Sequence, residues 1–462
     1  MKFDLAKIKK VYLSGIGGIG VSALARYFLD LEKEVHGSDS APSEITRDLE
    51  KKGIIINQSQ DAENITADID LFIYSAAVPE TNPERQKVKE LGLKELSYNE
   101  FLGFLTEQYK TVAVSGTNGK TTTTAMAAGI LIDAGLDPNV IIGSNVPRLK
   151  GNYKKGKGDW LVLEACEYRE HFLELSPKAI VLTNIEEDHL DFFKDLDHII
   201  QTFQKFINKL KNEEDILVIN KDDENTKELV LPKCQIITYG FLEDADVMAN
   251  DYRIEDNKQK FSVSYQNNDL GEFELMVAGK FNVYNALATI ALALKLNVSL
   301  ADVKKSLVDF SGAWRRLEII KKEPLVISDY AHHPTAVEVT RKAVDDFYPG
   351  KRKIIVFQPH QHNRTKKLFD DFVQSLEPKN QDEIIIISEI YDVAGRKAKE
   401  DEDVSSEKLV QAINDKKNPD LGEVIYSADL ENTLKLIKKN ATEDDLVLVM
   451  GAGDVYEIVE KI

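Results

Sequence analysis

Cysteine is nearly missing from this chain: Cys166 and Cys234 are the two in 462 residues, and they lack metal-site spacing. That excludes a disulfide-stapled scaffold and a thiolate zinc centre, and it fits a reducing compartment. Positive charge is also short. Lys plus Arg number 59 against 78 Asp plus Glu, the net charge is −19, and no basic block stands out, so nucleic acid is not an expected partner. No stretch approaches the ~20 apolar residues that span a bilayer. The opening "MKFDLAKIKKVYLSGIGGIG" runs straight into a strand and a glycine loop without an apolar signal core. A cytoplasmic protein without membrane insertion is expected. Because the overall field repels anions, any phosphate must be captured locally, by glycine loops, arginines and Mg2+.

What is present is ordinary globular material, 43% apolar and 30% charged. The length suggests about three domains of ~150 residues. Three blocks alternate strand and helix patterns. The first runs from "KKVYLSG" through "LFIYSAAV" to "LSYNEFLGFL"; the second holds "TVAVSG", "WLVLEA", "AIVLTNI" and "DILVINKDD". The alternation in 246–279 suggests an antiparallel excursion. The third block carries "LVISDYA", "KIIVFQP", "EIIIISEI", "GEVIYS" and "DLVLVMGAGD", while "RKAKEDEDVSSEK" reads as a charged loop. The fold class is α/β with domains 1–106, 107–312 and 313–462.

A further absence is more specific. "AVSGTNGKTTTTAM" resembles a Walker loop, yet the glycine expected four residues before Gly-Lys-Thr is Val114, and the nearest is Gly116. The setting still favours a phosphate site. "KTVAVSG" reads as a buried strand and "TTTTAMAAGILIDAG" as an amphipathic helix closed by Gly135. A loop at that junction aims helix N–H groups and the positive end of the helix dipole at an anion. Lys120 would then lie across the β- and γ-phosphates, with the Thr121 hydroxyl on Mg2+.

Other motifs cluster at strand ends. "GIGGIG" contains G-x-G-x-x-G at Gly15, Gly17 and Gly20, with Asp39 following Gly15 by 24 residues, near the place of a ribose-binding acid. Either a dinucleotide or another diphosphate suits such a loop, since backbone amides read pyrophosphate. Glu164 ends the strand "WLVLEA" as a hard-oxygen anchor for Mg2+, with Glu167 three residues on and His189 after the next strand. "DYAHHPT" and "FQPHQHNRT" bring Asp329, His332, His333, His360 and Arg364 to strand C-terminal edges, where open α/β sheets bind ligands. "WRRLE" offers Arg315 and Arg316 for phosphate oxygens.

Taken in order, "GTNGKTTT", "EACEYREHF", "NIEEDHLDFF", "GKFNVYNALA", "WRRLE", "DYAHHPT" and "FQPH...RT" resemble the motifs of the Mur ligases. "GIGGIG" followed by "HGSDS" resembles the branch that joins L-alanine to UDP-N-acetylmuramate. This family's ATP loop has the short form G-T-x-G-K-[ST], which accounts for Val114. The resemblance implies a Rossmann-like N-terminal domain for the UDP-sugar, a central P-loop ATPase-like domain with a mostly parallel sheet, and a C-terminal Rossmann-like domain for the amino acid. It implies ATP and Mg2+, and an acyl phosphate that the amine attacks.

Residue by residue, the resemblance implies ATP binding by Gly116, Thr117, Asn118, Gly119, Lys120, Thr121, Thr122, Asn282, Asn285, Arg315 and Asp329. It puts Thr121, Glu164 and His189 on the metal, with Lys120, Glu164, His189 and Arg316 catalytic. Gly15, Gly17, Gly18, Ile19, Gly20, Ser38, Asp39 and Ser75 match the UDP-sugar side, and Tyr330, His332 and Arg364 the alanine side. Asn118, Phe281 and Gln361 depart from the alanine-ligase pattern. Phe203 stands where most other members carry a carbamylated lysine, which favours the alanine branch over the wider family. A ligase that attaches a preformed tripeptide to the same sugar is the alternative within the family, and an NAD-dependent dehydrogenase the alternative outside it.

Overall fold

The computed structural model describes residues 4–189, 192–392 and 403–462. Most of the charged stretch "RKAKEDEDVSSEK", and Leu190 and Asp191 of "NIEEDHLDFF", lie outside them. The chain forms two compact units: Met1–Tyr252 with Phe261–Glu274 and Phe281–Phe310, and Arg253–Lys260 with Leu275–Lys280 and Ser311–Ile462.

The first unit holds a five-stranded sheet in the spatial order Ile55–Asn57, Glu34–Ser38, Lys10–Ser14, Leu71–Tyr74, Glu95–Ser97. All its strands run parallel. The order reverses between Lys10–Ser14 and Leu71–Tyr74, the crevice where such sheets take ligands. Gly15 and Ser75 sit there, one residue past each strand, so close that a Cβ on Gly15 would lie 2.9 Å from that of Ser75.

A longer sheet in the same unit is built around Lys110–Ser115, flanked by Trp160–Glu164 and Ala179–Leu182. "TVAVS" is buried throughout, as a central parallel strand covered on both faces must be. Register pairs Val114 with Glu164 and Ser115 with Leu182, which brings Gly116, Glu164 and Thr183 to one carboxyl edge. The helix Lys120–Asp133 follows and is closed at Gly135 (φ 72°). It is buried from Thr121 to Leu131 rather than on one face. Threonine, alanine and glycine side chains are small enough to let neighbouring elements approach on every side.

The antiparallel excursion is three strands, Val247–Glu255, Lys258–Tyr265 and Asn268–Leu275. Two-residue connections join them at Asp256-Asn257 and Gln266-Asn267, all four residues at positive φ, the geometry that suits strand twist. Sequence reading passed over Asn139–Val146 and Gly151–Lys154, an antiparallel pair with an interrupted register.

The second unit carries a six-stranded sheet in the order Glu318–Lys322, Leu325–Asp329, Leu446–Met450, Lys353–Phe357, Ile384–Ser388, Glu423–Ser427. Every pair is parallel except the first. The antiparallel edge strand "EIIKK" was not legible, because its exposed lysines mask the alternation. The others match the runs expected from sequence. No helix among the described residues is long and apolar enough to cross a membrane.

A buried ion pair fixes the second unit's helix Pro334–Phe347. Arg341 donates to Glu383 at 2.8 Å, to the Glu377 carbonyl at 3.0 Å and to the Ser375 carbonyl, with both side chains 2% exposed. Removing one partner strands a charge in the interior. Arg341→Met should therefore lower unfolding free energy by about 3–5 kcal/mol, and Arg341→Met/Glu383→Leu should recover most of it. Urea unfolding followed by circular dichroism checks both; equal losses in the single and double variants would refute this account.

Candidate active site

The short phosphate loop works because two glycines take conformations closed to other residues. Gly116 has φ 136°, and a Cβ there would lie 2.0 Å from Thr183 Oγ1; Gly119 has φ 83°, and its Cβ would lie 2.5 Å from Asn285 Oδ1. A third glycine at Val114 is not needed, since that residue is still inside the strand. The Thr117 amide donates to the Asn184 carbonyl at 3.0 Å and the Asn118 amide to Asn184 Oδ1 at 2.8 Å. The Asn118 side chain reaches Glu186 Oε2 at 3.1 Å, so this departure from the family pattern ties the loop to the segment after Ala179–Leu182. Gly119 caps the helix without a side-chain cap bond, and the first turn holds Lys120, Thr121 and the buried Thr122.

Lys120 folds back over the loop. Its ammonium donates to the Gly116 and Thr117 carbonyls and pairs with Glu167 at 2.9 Å. Burial works against the charge, yet Glu167, with Cys166 and Glu164 behind it, holds the pKa above the ordinary lysine value. Glu167 is 2% exposed, and its second oxygen, Oε2, has no hydrogen-bond partner among the described residues. Thr121 Oγ1 donates to Glu164 Oε2 at 3.2 Å, and the Gly143 amide holds Glu164 Oε1 at 2.7 Å. His189, at φ 53°, places Nε2 3.9 Å from Glu167 Oε1 and packs its ring 4.7 Å from that of Tyr168.

Asn282 and Asn285 come to the same place from the helix Lys280–Lys295. Asn285 accepts from Thr123 at 3.1 Å and donates to Asn282 at 3.0 Å. Phe281 is 36% exposed beside them, and Phe203 packs in the core 5.4 Å from the Phe172 ring.

At the first glycine loop, Gly15 (φ 76°) donates to the Ser38 carbonyl at 2.8 Å, and Gly18 caps the helix that begins at Ile19 and Gly20. Asp39 is committed to this loop, accepting from the Gly17 amide at 2.8 Å and the Ala41 amide at 3.0 Å. Ser38 turns inward. Its hydroxyl and those of Ser14 and Tyr12 all donate to the fully buried Glu84, at 2.7, 2.6 and 2.7 Å, a carboxylate that sequence reading missed. The helix signal "TNPE" was present: Asn82 caps it and Pro83 opens it, which puts Glu84 in its first turn.

In the second unit Tyr330, His332, His360 and Arg364 come together. The His332 ring lies 5.1 Å from Tyr330 and 5.9 Å from His360, and Arg364 Nη1 donates to His360 Nδ1 at 3.2 Å. Arg316 sits 4.8 Å over the Tyr330 ring. Arg315 is committed elsewhere: its guanidinium donates to the Gly451 and Gly453 carbonyls and is enclosed by Trp314, Tyr330 and Tyr456. Asp329 likewise accepts from the Leu317 and Ala331 amides, both at 2.8 Å. Burial, which outweighs the lowering by Arg316 and these amides, pushes its pKa up.

Burial, then Arg364, drives the His332 pKa down to about 3, with His360 and Arg316 adding to the effect. Its Nδ1 lies 2.9 Å from the Tyr330 carbonyl, so the neutral ring donates there and keeps Nε2 as an acceptor. His332 should stay uncharged from pH 8 to 5 in imidazole nitrogen NMR shifts, and a midpoint above 5.5 would contradict this. The folded value lies below the unfolded one of about 6.5, so the unfolded chain binds the proton first. This group therefore lowers stability as pH falls from about 6.5 toward 3.

Comparison with known proteins covers nearly the whole chain. Residues 10–110 match a model described as Mur ligase family, catalytic domain; 114–293 match the Mur ligase middle domain; and 315–453 match the Mur ligase, glutamate ligase domain. The chain is 39% identical to a UDP-N-acetylmuramate–L-alanine ligase of Caldanaerobacter subterraneus subsp. tengcongensis, covering 100% of this chain and 98% of that one. It is 40% identical to the protein of the same name from Clostridium tetani, covering 99% and 98%. The crystal structure of the UDP-N-acetylmuramate-alanine ligase of Thermotoga maritima superposes with a TM-score of 0.82 at 30% identity, covering 98% and 97%. A murein peptide ligase from Psychrobacter arcticus shares the fold, with a TM-score of 0.70 at 22% identity over 98% and 99%.

Proposed function

Because this chain belongs to the Mur ligase family, we propose that it is the ATP-dependent ligase that joins L-alanine to UDP-N-acetylmuramate in peptidoglycan precursor synthesis. The observation that carries the reading is full-length identity with ligases of that name together with a loop built for phosphate, in which Lys120 faces two carboxylates. In this reaction the muramoyl carboxylate oxygen attacks the γ-phosphorus of ATP, the bond to the bridging β-oxygen breaks, and ADP departs. The neutral amine nitrogen of alanine then bonds to the acyl carbon, phosphate leaves, and the nitrogen gives up one proton to solvent or base and keeps the other as the amide N–H.

The residues divide accordingly. Gly116, Thr117, Asn118, Gly119, Thr121 and Thr122 cradle ATP, Lys120 turns from Glu167 to the β- and γ-phosphates, and Asn282 and Asn285 take the adenine side. Arg315, Arg316 and Asp329 belong to the nucleotide set, with Arg316 free of the carbonyl contacts that engage Arg315. Gly15, Gly17, Gly18, Ile19, Gly20, Ser38, Asp39 and Ser75 serve the UDP-sugar; Tyr330, His332 and Arg364 serve alanine. Domains 1–106, 107–312 and 313–462 carry these three roles, and a cytoplasmic location follows from substrates made there.

Mg2+ fits the residues present. Thr121 Oγ1 and Glu164 are hard oxygen donors in contact, His189 stands by Glu167, and the buried, unpaired Glu167 Oε2 requires a cation beside it once Lys120 moves to phosphate. Among the described residues no three His, Cys, Asp or Glu side chains form a closed metal cage, which suits an ion that keeps waters and phosphate oxygens as ligands. When bound, Mg2+ neutralises charge on the transferring phosphoryl group. Lys120, Thr121 and Glu164 orient that group, and positioning is the main requirement of phosphoryl transfer.

Phosphate release from Mg-ATP and UDP-N-acetylmuramate should depend on L-alanine. Preference for a tripeptide would move the reading to the recycling ligase, and NADH binding with no phosphate release would move it to a dehydrogenase. Lys120→Ala should abolish release while UDP-sugar binding, measured by calorimetry, stays within about twofold. Glu164→Ala should raise the Mg2+ needed for half-maximal turnover by roughly tenfold or more; an unchanged Mg2+ titration would remove Glu164 from the metal site.

A further inference from the structure

One side chain stands between the two loops of the first unit. Tyr98 opens the helix Tyr98–Thr106, and its backbone is fixed by a capping box in which the Ser97 hydroxyl accepts from Glu100 N at 3.2 Å while Glu100 Oε2 accepts from Ser97 N at 2.7 Å. So held, the phenol projects against the first turn of the helix after the glycine loop. A Cβ on Gly20 would lie 2.7 Å from Tyr98 Cζ and 2.9 Å from its oxygen. Gly20 is thus required by the tyrosine as much as by the loop. The Glu164 carboxylate and Cys166 are near enough to act on the phenol, and both hold its proton in place.

The hydroxyl itself is uncommitted. Tyr12, Tyr239 and Tyr284 in the same unit donate to Glu84, to the Leu182 carbonyl and to Asp222, whereas Tyr98 makes no hydrogen bond among the described residues. Burial, then the Glu164 carboxylate, keeps it protonated, so it remains a donor through the working pH range.

We infer that Tyr98 is a substrate-positioning residue whose hydroxyl donates to the carboxylate that is to be phosphorylated, on its way from the glycine loop to the Thr121–Glu164 pair. The inference rests on the function proposed above. A sugar held by its diphosphate at Gly15–Gly20 must present a carboxylate to ATP held at Gly116–Thr121, and Glu164 repels that carboxylate. A neutral donor between the loops offsets the repulsion without competing for Mg2+, as a lysine or arginine could not do beside Glu164 without pairing with it.

Tyr98→Phe keeps the ring against Gly20 and removes only the hydroxyl. Calorimetric titration of wild type and variant compares UDP-N-acetylmuramate with UDP-N-acetylglucosamine, which lacks the carboxylate. Affinity for the first should fall by about 10- to 100-fold, the range for a hydrogen bond to a charged group, and affinity for the second should stay within about twofold. KM for ATP should likewise hold while kcat/KM for the muramate falls. Equal weakening of both sugars would make Tyr98 a prop for the loop and overturn the proposal, as would no change in either. A wild-type protein that releases no phosphate with UDP-N-acetylmuramate overturns the function itself, and this role with it.

Discussion

The pairing of Lys120 with Glu167 is the constraint on which the site depends. On a chain with net charge −19, one ammonium is enclosed between loop carbonyls and carboxylates. Burial alone would push Lys120 toward neutrality; the adjacent anions keep it charged. Glu167 keeps one buried oxygen, Oε2, with no hydrogen-bond partner among the described residues, so its charge is answered by Lys120 alone on one side.

Backbone geometry carries the remainder of the capture. In both loops a glycine follows the central parallel strand directly and adopts a positive φ, Gly15 at 76° and Gly116 at 136°. Each lies so near a neighbouring segment that a methyl group would collide, with Ser75 in one case and Thr183 in the other. A tight turn of this kind lets helix amides face an anion without recruiting a cationic side chain. The first loop, however, already has one amide, that of Gly17, capped by Asp39, so Asp39 shapes the loop.

Periodicity made the parallel strands legible, since "TVAVS", "AIVL", "IIVF" and "IIIIS" are apolar on both faces and can only be central. The edges were not: "EIIKK" and the interrupted pair Asn139–Val146 and Gly151–Lys154 satisfy sheet bonding with little apolar pattern. Loop glycines and Lys120 were readable because their chemistry is local in sequence. Glu84 and Tyr98 were not, because Glu84 gathers hydroxyls from as far as 72 positions away and Tyr98 packs against Gly20 of a distant motif, and a single glutamate or tyrosine carries no signal of that. Arg315 and Asp329 show the converse. Their residue types suit nucleotide contact, and tertiary packing also engages them with backbone groups, which no local pattern announces.

That commitment says something about the second unit. Arg315 ties the turn before Glu318–Lys322 to the end of Leu446–Met450, and Asp329 ties the amide of Leu317 to its own strand end, so Arg316 is fixed between two anchored neighbours. A guanidinium so placed loses little side-chain freedom on meeting a phosphate or carboxylate, because its backbone is already ordered. The face of Tyr330 beneath it sets its plane. His332, kept neutral by burial and by the arginines, then presents an acceptor nitrogen in a cationic surrounding. The Arg-Arg pair therefore divides its contacts, with Arg315 bound to backbone carbonyls and Arg316 lying over the Tyr330 ring.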